Sequence, residues 1–316
     1  MAEARVDCDL TILTTTHNRA HLLPRLYESI VASLSSLPDR ARIEWVIVDD
    51  GSTDGTAACI ANFAARAPFP VYCVSLDHGG KHRALNAGFA VVQGKWVMIV
   101  DSDDWLLDDG IETTLAEIEK AQEERAGALF LCVTVLHRDR QYGFIRPERT
   151  VSYIERLNTE PPFDSTPILS IDLCRLRFRE IPGEIFLAEG DFFPGLSLDH
   201  GIYLSNAIAV AVEYQPNGLS ANSLALRTGN PVGTARLYQR MSEQELRAGL
   251  QSRTLANFGR FWWHCVFRRT QVIRPRGVLQ TISIVPGLVL ALADVRKMRR
   301  DTRLRSCSIL RDQRAS

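Results

Sequence analysis

The first 135 residues alternate between short apolar runs and longer segments whose apolar side chains recur at helical spacing. The apolar runs predict strands and the segments between them predict amphipathic helices. The predicted strands are 10–16, 43–50, 71–76, 95–100 and 128–136, and the predicted helices are 19–34, 54–65, 81–93 and 107–124. This alternation is typical of βαβ units, so it predicts an α/β fold with a mostly parallel sheet and helices on both faces.

The second half of the chain is less regular until it becomes helical and basic. Five prolines interrupt residues 137–185, and helical spacing returns from about residue 237. Residues 251–316 hold 14 Lys and Arg against 3 Asp and Glu, although the formal net charge of the whole chain is zero. The zero net charge argues against a general nucleic-acid-binding protein, so no nucleic acid is expected as a partner, and the asymmetry divides the chain into an acidic body and a basic tail.

Composition narrows the class further. A length of 316 residues with 46% hydrophobic residues is typical of one large or two ordinary globular domains. The seven cysteines are scattered and never spaced as Cys-x-x-Cys, which predicts reduced thiols rather than a zinc site or a disulfide framework. The first residues lack the apolar run of a signal peptide, so we expect a cytoplasmic location.

One apolar run, Val278–Val295, is long enough to raise the question of a membrane span. It has polar residues, proline and glycine within it: Gln280, Thr281, Ser283, Pro286 and Gly287. A span needs about 20 predominantly apolar residues. The sequence therefore predicts a helix that lies on a surface or docks against the protein.

Polar clusters follow four of the predicted strands, at residues 14–19, 49–52, 77–83 and 101–104. The carboxyl ends of parallel strands meet at one edge of a sheet, where such folds bind ligands. In the last cluster, Asp101, Asp103 and Asp104 repel one another unless a cation lies between them, and carboxylates of this kind bind Mg²⁺ or Mn²⁺. The alternative is a solvated turn that also caps the next helix.

Two other clusters suit a nucleotide. At 49–52, Asp49 and Asp50 point to opposite sides of a strand, so one carboxylate can face a ligand while the other holds the turn. At 78–88, a Gly-Gly step precedes Lys81 and Arg83 at a helix start, where backbone N–H groups and cations attract anions. Neither a Walker loop nor a GxGxxG motif is present.

Taken in order, these motifs resemble family 2 glycosyltransferases of the GT-A fold. The motifs are Thr-Thr-Thr-His-Asn-Arg, Val-Asp-Asp-Gly-Ser-Thr-Asp-Gly-Thr, Gly-Gly-Lys-His-Arg-Ala-Leu-Asn-Ala-Gly and Val-Asp-Ser-Asp-Asp. The resemblance covers about residues 9–225. It implies a catalytic domain over 1–235, with a donor half over 9–136 and an acceptor half over 137–235, followed by a helical basic extension over 236–316.

The resemblance also implies roles for individual residues. The residues expected to bind the donor are Thr14, Thr16, Asp49, Asp50, Lys81, Arg83, Asp101 and Ser102. Asp103, with Asp101, is expected to bind the Mn²⁺ or Mg²⁺ that bridges the diphosphate. For the catalytic base the resemblance implies Glu189 or Asp191, because the usual Glu-Asp dipeptide is absent here. His17 stands where the family often has an aromatic residue and receives no role.

The implied reaction is transfer of a sugar from a nucleoside diphosphate, with UDP favoured, to a hydroxyl of a glycan or lipid-linked glycan, with inversion. A non-catalytic nucleotide-sugar-binding protein is the alternative from another class. A sugar nucleotidyltransferase is less favoured because its first strand leads into a Gly-rich loop, where this chain has Thr14–Arg19. A glycoside hydrolase is also less favoured, because that class of enzyme does not need a site for a metal ion and a diphosphate.

The basic tail has two interpretations. Residues 255–316 form either a solvated helix pair or a contact with an anionic membrane surface. Trp262, Trp263 and Phe267 alternate with arginines, as in helices that lie at a membrane interface. The second interpretation predicts a cytoplasmic protein that is peripheral at the inner face of the membrane.

Overall fold

The structure is a computed structural model of the chain. It describes residues 8–37, 42–135, 143–152, 155–156, 159–160, 164–192, 201–215, 218–219, 221–247, 249 and 254–315, and only the backbone of 36 and 301–315. Leu136, the predicted end of the fifth strand, lies outside these residues.

Four of the five predicted strands lie side by side and run parallel. In chain order they are β1 (Leu10–Thr16), β2 (Ile43–Asp50), β3 (Val71–Leu76) and β4 (Trp96–Ile99). They lie side by side as β3-β2-β1-β4. Strand β2 is buried along its whole length, as expected of a strand that is covered on both faces.

Helices cover both faces of this sheet. They are α1 (Leu23–Ser33), α2 (Thr56–Arg66), α3 (Lys81–Val91) and α4 (Gly110–Glu123). Side chains of α1, α2 and α4 pack with Leu10 and Ile12 of β1 in the main core. Gly88 of α3 instead lies against Leu13, whose side chain points to the opposite face. The predicted α/β fold is confirmed.

The second half of the sheet is mixed. It contains β5 (Trp105–Leu106), β6 (Ala128–Val135), β7 (Arg149–Val151), β8 (Ser165–Ser170) and β9 (Ile202–Val212). Strand β8 inserts antiparallel between β4 and β6, and β9 runs parallel to β6. Strands β7 and β8 fall in the region that the sequence predicted to be irregular, because they are short and their partners lie far away in the chain.

The chain forms two compact units. The first comprises residues 1–180 and 189–218, and the second comprises 181–188 and 219–316. The second is helical, with α5 (Ser223–Gly229), α6 (Pro231–Arg247), α7 (Leu255–Phe267) and α8 (Val278–Ala315). Its small apolar core is formed mainly by side chains of α6 and α7. The helical extension is thus confirmed, while the division into catalytic domain and extension at residue 235 stays a prediction about function.

Helix α8 contains a segment, Val278–Arg300, that is long and apolar enough to cross a membrane by length and composition; it is the one such segment among the described residues. This segment has 23 residues, whereas the apolar run identified in the sequence, Val278–Val295, has 18. Length and composition alone therefore do not decide between a span and a surface helix.

Candidate active site

The site lies at the carboxyl edge of the parallel strands, where β1, β2 and β4 end beside one another. Thr16 pairs with Asp49 at the ends of β1 and β2, and Val100 donates a backbone hydrogen bond to Leu13 just before Asp101. The sheet register therefore brings three of the predicted polar clusters to one edge.

Asp50 holds the Gly-Gly turn in place. Its two carboxylate oxygens accept hydrogen bonds from the backbone N–H groups of Gly79 and Gly80, both at 2.8 Å. His78 Nδ1 lies 2.9 Å from the same carboxylate, which is almost wholly buried. Gly80 adopts a φ of 96°, a conformation that favours glycine, at the start of α3. In this structure Asp50 acts on the loop that precedes Lys81.

Two histidines lie beside Asp50. The rings of His17 and His78 stack with centroids 4.2 Å apart, and His17 Nδ1 lies 2.7 Å from the Asp50 carbonyl oxygen. A carbonyl oxygen only accepts, so this Nδ1 carries the hydrogen. The ligand atoms of the three residues are close enough to hold a metal ion, but the Nδ1 atoms already bond to Asp50.

The neighbouring residues that are expected to bind the sugar donor are all buried but differ in their hydrogen bonds. Asp49 accepts a hydrogen bond from the Ser52 backbone N–H at 3.0 Å and stabilises the turn after β2. Thr14 is fully buried and accepts a hydrogen bond from the Trp45 indole at 3.0 Å. Thr16, at the strand end, has a buried hydroxyl that finds no hydrogen-bond partner among the described residues. Of these three residues, Thr16 therefore has a polar group left for a ligand.

Three carboxylates converge after β4. The carboxylates of Asp101, Asp103 and Asp104 have oxygen atoms within 4.8 Å of one another. Burial and the charge of Asp101 raise the pKa of Asp103, and burial with the charges of Asp101 and Asp103 raises the pKa of Asp104 to about 9. Desolvation is the larger cause of both shifts, and repulsion between the neighbouring carboxylates acts in the same direction. Ser102, between them, is buried.

Arg25 of α1 braces this cluster from the side. Its guanidinium donates to the Asp103 carbonyl oxygen and to the Glu213 carboxylate, both at 2.7 Å, and lies 3.9 Å from the centre of the Trp105 ring. The sequence analysis missed Arg25 and Glu213, because residues so far apart in the chain give no local signal.

Lys81 lies between the aspartate cluster and Glu189. Its Nζ lies 2.5 Å from Asp101 Oδ1 and 2.6 Å from Glu189 Oε1. Burial alone would lower the pKa of Lys81, but the two carboxylates outweigh it and raise that pKa above its ordinary value. The ammonium group is therefore held charged between the two carboxylates.

Glu189 and Asp191 lie on one short 3₁₀ turn, Glu189–Asp191, but face different surroundings. The Glu189 side chain is 43% exposed and pairs with Lys81, whereas Asp191 is buried. Phe192 follows the turn and stacks on Phe178 at 4.8 Å between ring centres, which anchors the turn beside α3. Glu189 is the member of the pair that reaches the site.

Asn86 of α3 clamps the chain that leads to Glu189. Its side-chain carbonyl accepts from the Phe178 N–H at 2.8 Å, and its amide donates to the Phe178 carbonyl at 3.0 Å. Arg83, also on α3, pairs with Glu180 at 3.4 Å, and both side chains are about half exposed. Arg83 is thus placed toward residues 178–180 and is not among the contacts of Lys81.

The structure therefore brings Lys81, Asp101, Asp103 and Glu189 into one cluster. It places Asp49, Asp50 and Thr14 in hydrogen bonds that shape the edge of the sheet. Asn86, Arg25 and Glu213 are the residues that sequence reasoning missed, whereas Asp104 belonged to the carboxylate cluster predicted after the fourth strand.

Solved structures with a similar fold bind nucleotide sugars. TarS 1–349 from S. aureus, solved with UDP-GlcNAc, has a TM-score of 0.56 and 16% identity over 93% of this chain and 92% of that chain. The mannosyltransferase PcManGT from Pyrobaculum calidifontis, solved with GDP-Man and Mn²⁺, has a TM-score of 0.53 and 16% identity over 91% of this chain and 81% of that chain. At such identities the likeness establishes the GT-A-like fold alone.

Two relatives in sequence match over less than half of the chain. Glycosyltransferase GlyA of Streptococcus pneumoniae is 30% identical over 121 residues, which are 38% of this chain and 16% of GlyA. The undecaprenyl-phosphate 4-deoxy-4-formamido-L-arabinose transferase of Pseudomonas syringae is 35% identical over 95 residues, 30% of this chain and 28% of that protein. The alignments thus span less than a third of either relative.

The family comparison covers more of the chain. The model for glycosyl transferase family 2 matches residues 11–180, which include the ends of β1, β2 and β4 and the residues up to Glu180. This match spans more than half of the 316 residues. Together with the GT-A-like fold, it shows that the chain belongs to glycosyl transferase family 2.

Proposed function

We propose that this enzyme transfers a sugar from a nucleoside diphosphate, with UDP as the favoured nucleotide, to an acceptor hydroxyl with inversion at the anomeric carbon. The observation that carries the proposal is the Lys81 bridge, which holds Glu189 and Asp101 within 2.6 Å of one ammonium group. It puts a half-exposed carboxylate beside an aspartate cluster suited to a metal. UDP is favoured because TarS was solved with UDP-GlcNAc.

Asp101 and Asp103 are proposed to hold the metal, and Asp104 fits the same site. Three close carboxylates with raised pKa values for Asp103 and Asp104 suit a hard divalent cation such as Mn²⁺ or Mg²⁺. PcManGT, of similar fold, was solved with Mn²⁺. When bound, the ion would supply charge neutralisation for the departing diphosphate.

Glu189 is proposed as the base, ahead of Asp191, because it is exposed to the site and Asp191 is buried. Its carboxylate takes the proton of the acceptor hydroxyl as that oxygen bonds to the anomeric carbon. The bond from this carbon to the diphosphate oxygen breaks at the same time, and its electron pair leaves with the diphosphate. The Lys81 ammonium group then lies where it can pair with the negative charge of the diphosphate.

The donor side is proposed to include Thr14, Thr16, Asp49, Asp50, Lys81, Arg83, Asp101 and Ser102. Two kinds of contribution are distinguished by the geometry. The Lys81 ammonium group, which is partly exposed, can touch a nucleotide directly, whereas the Thr16 hydroxyl is buried at the strand end. Asp49 and Asp50 support it through the turns that they stabilise.

The acceptor is proposed to be a glycan or lipid-linked glycan that is met at a membrane. The name of the Pseudomonas syringae relative gives undecaprenyl phosphate as its substrate. The tail over 255–316 carries a large excess of basic residues, which favours an anionic surface. We therefore propose a cytoplasmic protein that is peripheral at the inner face of the membrane. Catalysis is assigned to residues 1–235, and membrane contact to residues 255–316 of the basic extension over 236–316.

Calorimetric titration of the full chain with UDP, GDP and dTDP, with and without Mn²⁺, tests the donor site. We expect metal-dependent binding of one nucleotide, UDP, and its loss in Asp103→Ala. Glu189→Gln should bind the nucleotide with Mn²⁺ as well as the wild type, because the base does not hold the donor.

Transfer and donor hydrolysis then separate the enzyme from a non-catalytic binding protein. With UDP-sugars supplied, Glu189→Gln should lose at least about 100-fold in turnover, as general-base removal does. Nucleotide binding without any turnover in the wild type would favour the binding protein. Unchanged turnover in Glu189→Gln together with loss in Asp191→Asn would move the base to Asp191.

A further inference from the structure

Helix α8 turns its small and polar side chains inward and its large aliphatic side chains outward. The inward residues recur every three or four positions and are buried: Gln280, Ser283, Gly287, Ala291 and Asp294. The outward residues are exposed: Val278, Leu279, Ile282, Val285, Val289, Leu290 and Leu292, with 73% exposure at Val278, 76% at Val285 and 69% at Val289. A surface helix of a water-soluble protein has the opposite arrangement.

The inward polar groups are matched by α6 and α7. Gln280 donates to the Gln239 carbonyl at 3.2 Å and to the Ser242 hydroxyl at 3.1 Å. Asp294 accepts from Arg260 Nε at 2.6 Å and pairs with His264 Nε2 at 2.9 Å. The side chains of Gln280 and Asp294 therefore both bond to residues of α6 and α7, and these bonds fix the orientation of the inward face.

Small residues let α7 and α8 touch at the backbone. A methyl group at Gly287 would overlap the backbone of Gly259 and Arg260, and one at Gly259 would overlap the backbone of Ser283. The Trp263 indole also donates to the Ile284 carbonyl at 2.8 Å. Close crossings at small residues, with polar groups bonded between helices and aliphatic side chains outside, are typical of helices whose outer solvent is lipid.

Basic residues stand at both ends of the outward face. Arg274 and Arg276 precede it and are exposed, and four exposed cations follow it: Arg296, Lys297, Arg299 and Arg300. From residue 278 to 292 the aliphatic face is about 21 Å long, shorter than the roughly 30 Å hydrocarbon core of a bilayer. A helix of this kind fits within one leaflet, with its cations among anionic headgroups.

We infer that α8 inserts its outward face, Val278 to Leu292, among the acyl chains of an anionic bilayer. The inference deepens the membrane contact proposed above, since the tail is held by burial of aliphatic side chains and not by charge attraction alone. It does not depend on the transfer chemistry. Charge attraction between exposed groups is screened by salt, whereas burial of apolar surface is not.

Vesicle flotation of the full chain tests the insertion. The vesicles are phosphatidylcholine with one quarter phosphatidylglycerol, and the salt is 0.1 M or 1 M NaCl. We expect the wild type to float with vesicles in both salts. Val285→Asp with Val289→Asp should lower the partition coefficient at least about 100-fold, because one aspartate at the centre of an apolar helix already costs that factor. Val91→Asp, at an exposed valine of α3, is the matched control and should float like the wild type.

Three results would overturn the insertion. Release of the wild type by 1 M NaCl would mean adsorption to headgroups, and flotation of the double aspartate variant would mean that another face binds. A wild type that stays off the vesicles and elutes as a dimer, while the double variant elutes as a monomer, would mean that a second copy covers this face. Calorimetric UDP binding and circular dichroism of the same samples report on the donor site and the fold, so a failed insertion is distinguishable from a failed donor site.

Discussion

At the scale of single residues, the site is organised by a cation that touches two carboxylates. Lys81 begins α3 and contacts the carboxylates of Asp101 and Glu189. Its position at the helix start follows from the Gly79-Gly80 turn, which Asp50 holds through two backbone hydrogen bonds. One buried carboxylate thereby determines where the bridging ammonium group lies.

Replacing Lys81 with methionine should therefore cost activity. Asp101 and Glu189 would lose their shared counter-charge, and the partial exposure of all three side chains limits the loss to about 10- to 100-fold in kcat/KM. Initial rates with the donor identified by calorimetry measure it, and Lys81→Arg should recover part of the rate because it keeps the charge.

Lys95→Met is the matched control, because Lys95 also pairs with an aspartate, Asp9, at 2.9 Å but on an exposed surface. We expect its kcat/KM to stay within about twofold of the wild type. An equal loss of rate in Lys81→Met and Lys95→Met would assign the effect of Lys81 to general electrostatics.

At the scale of elements, the helical unit depends on one crossing between α7 and α8. The backbones meet at Gly259 and Gly287. Arg260, next to Gly259, bonds to Asp294, which lies about two turns after Gly287 on α8. A methyl group added at either glycine would meet backbone atoms and not mobile side chains, so the crossing cannot relax locally.

Gly287→Ala should accordingly destabilise the helical unit by about 1–3 kcal/mol, the usual cost of overpacking. Gly229→Ala is the control, since open space surrounds Gly229 in the first helix of the same unit. Urea unfolding of the full chain, followed by tryptophan fluorescence, measures both. Equal midpoints for the two variants would show that α7 and α8 do not cross as described.

The elements that the sequence predicted are those with a continuous local pattern. Strands β1, β2 and β3 match their predicted bounds because each is rich in apolar and β-branched residues and leads into a polar cluster. Strand β8 was missed because Pro167 and Thr166 break its pattern, and only pairing with β4 and β6, distant in the chain, makes it a strand. Helix α1 begins at Leu23, later than predicted, with Pro24 in its first turn.

The same distinction applies to the site. Asp101, Asp103 and Lys81 were predicted from motifs that are contiguous in the chain, and the geometry brings them together. Asn86 and Arg25 were missed because their partners, Phe178 and Glu213, lie far away in sequence. Contacts of this kind become visible only once the register of the sheet is known. The assignment of roles to these residues stays a prediction until variants are measured.

At the scale of the whole molecule, the chain consists of two compact units with separate cores. The proposed donor site lies in the first unit, and the proposed lipid-facing helix lies in the second. A ligand that binds one folded unit stabilises that unit by mass action. The two proposals therefore predict different thermal signatures.

Differential scanning calorimetry should resolve two transitions. UDP with Mn²⁺ at about 100 times its Kd should stabilise the first unit by about 2.7 kcal/mol and raise one transition. Anionic vesicles should raise the other. Omitting Mn²⁺, or using Asp103→Ala, should abolish the first effect and leave the second. A single transition that both ligands raise equally would show that the units unfold together.

The outward face of α8 also has a kinetic consequence. An enzyme held in a leaflet meets an acceptor of the same leaflet by diffusion in two dimensions, so the relevant concentration is molecules per unit area. Adding empty vesicles at fixed enzyme and acceptor would then dilute the reactants and slow transfer, although their bulk concentrations stay the same. The aliphatic row from Val278 to Leu292 would in this way make the supply of membrane itself a determinant of rate.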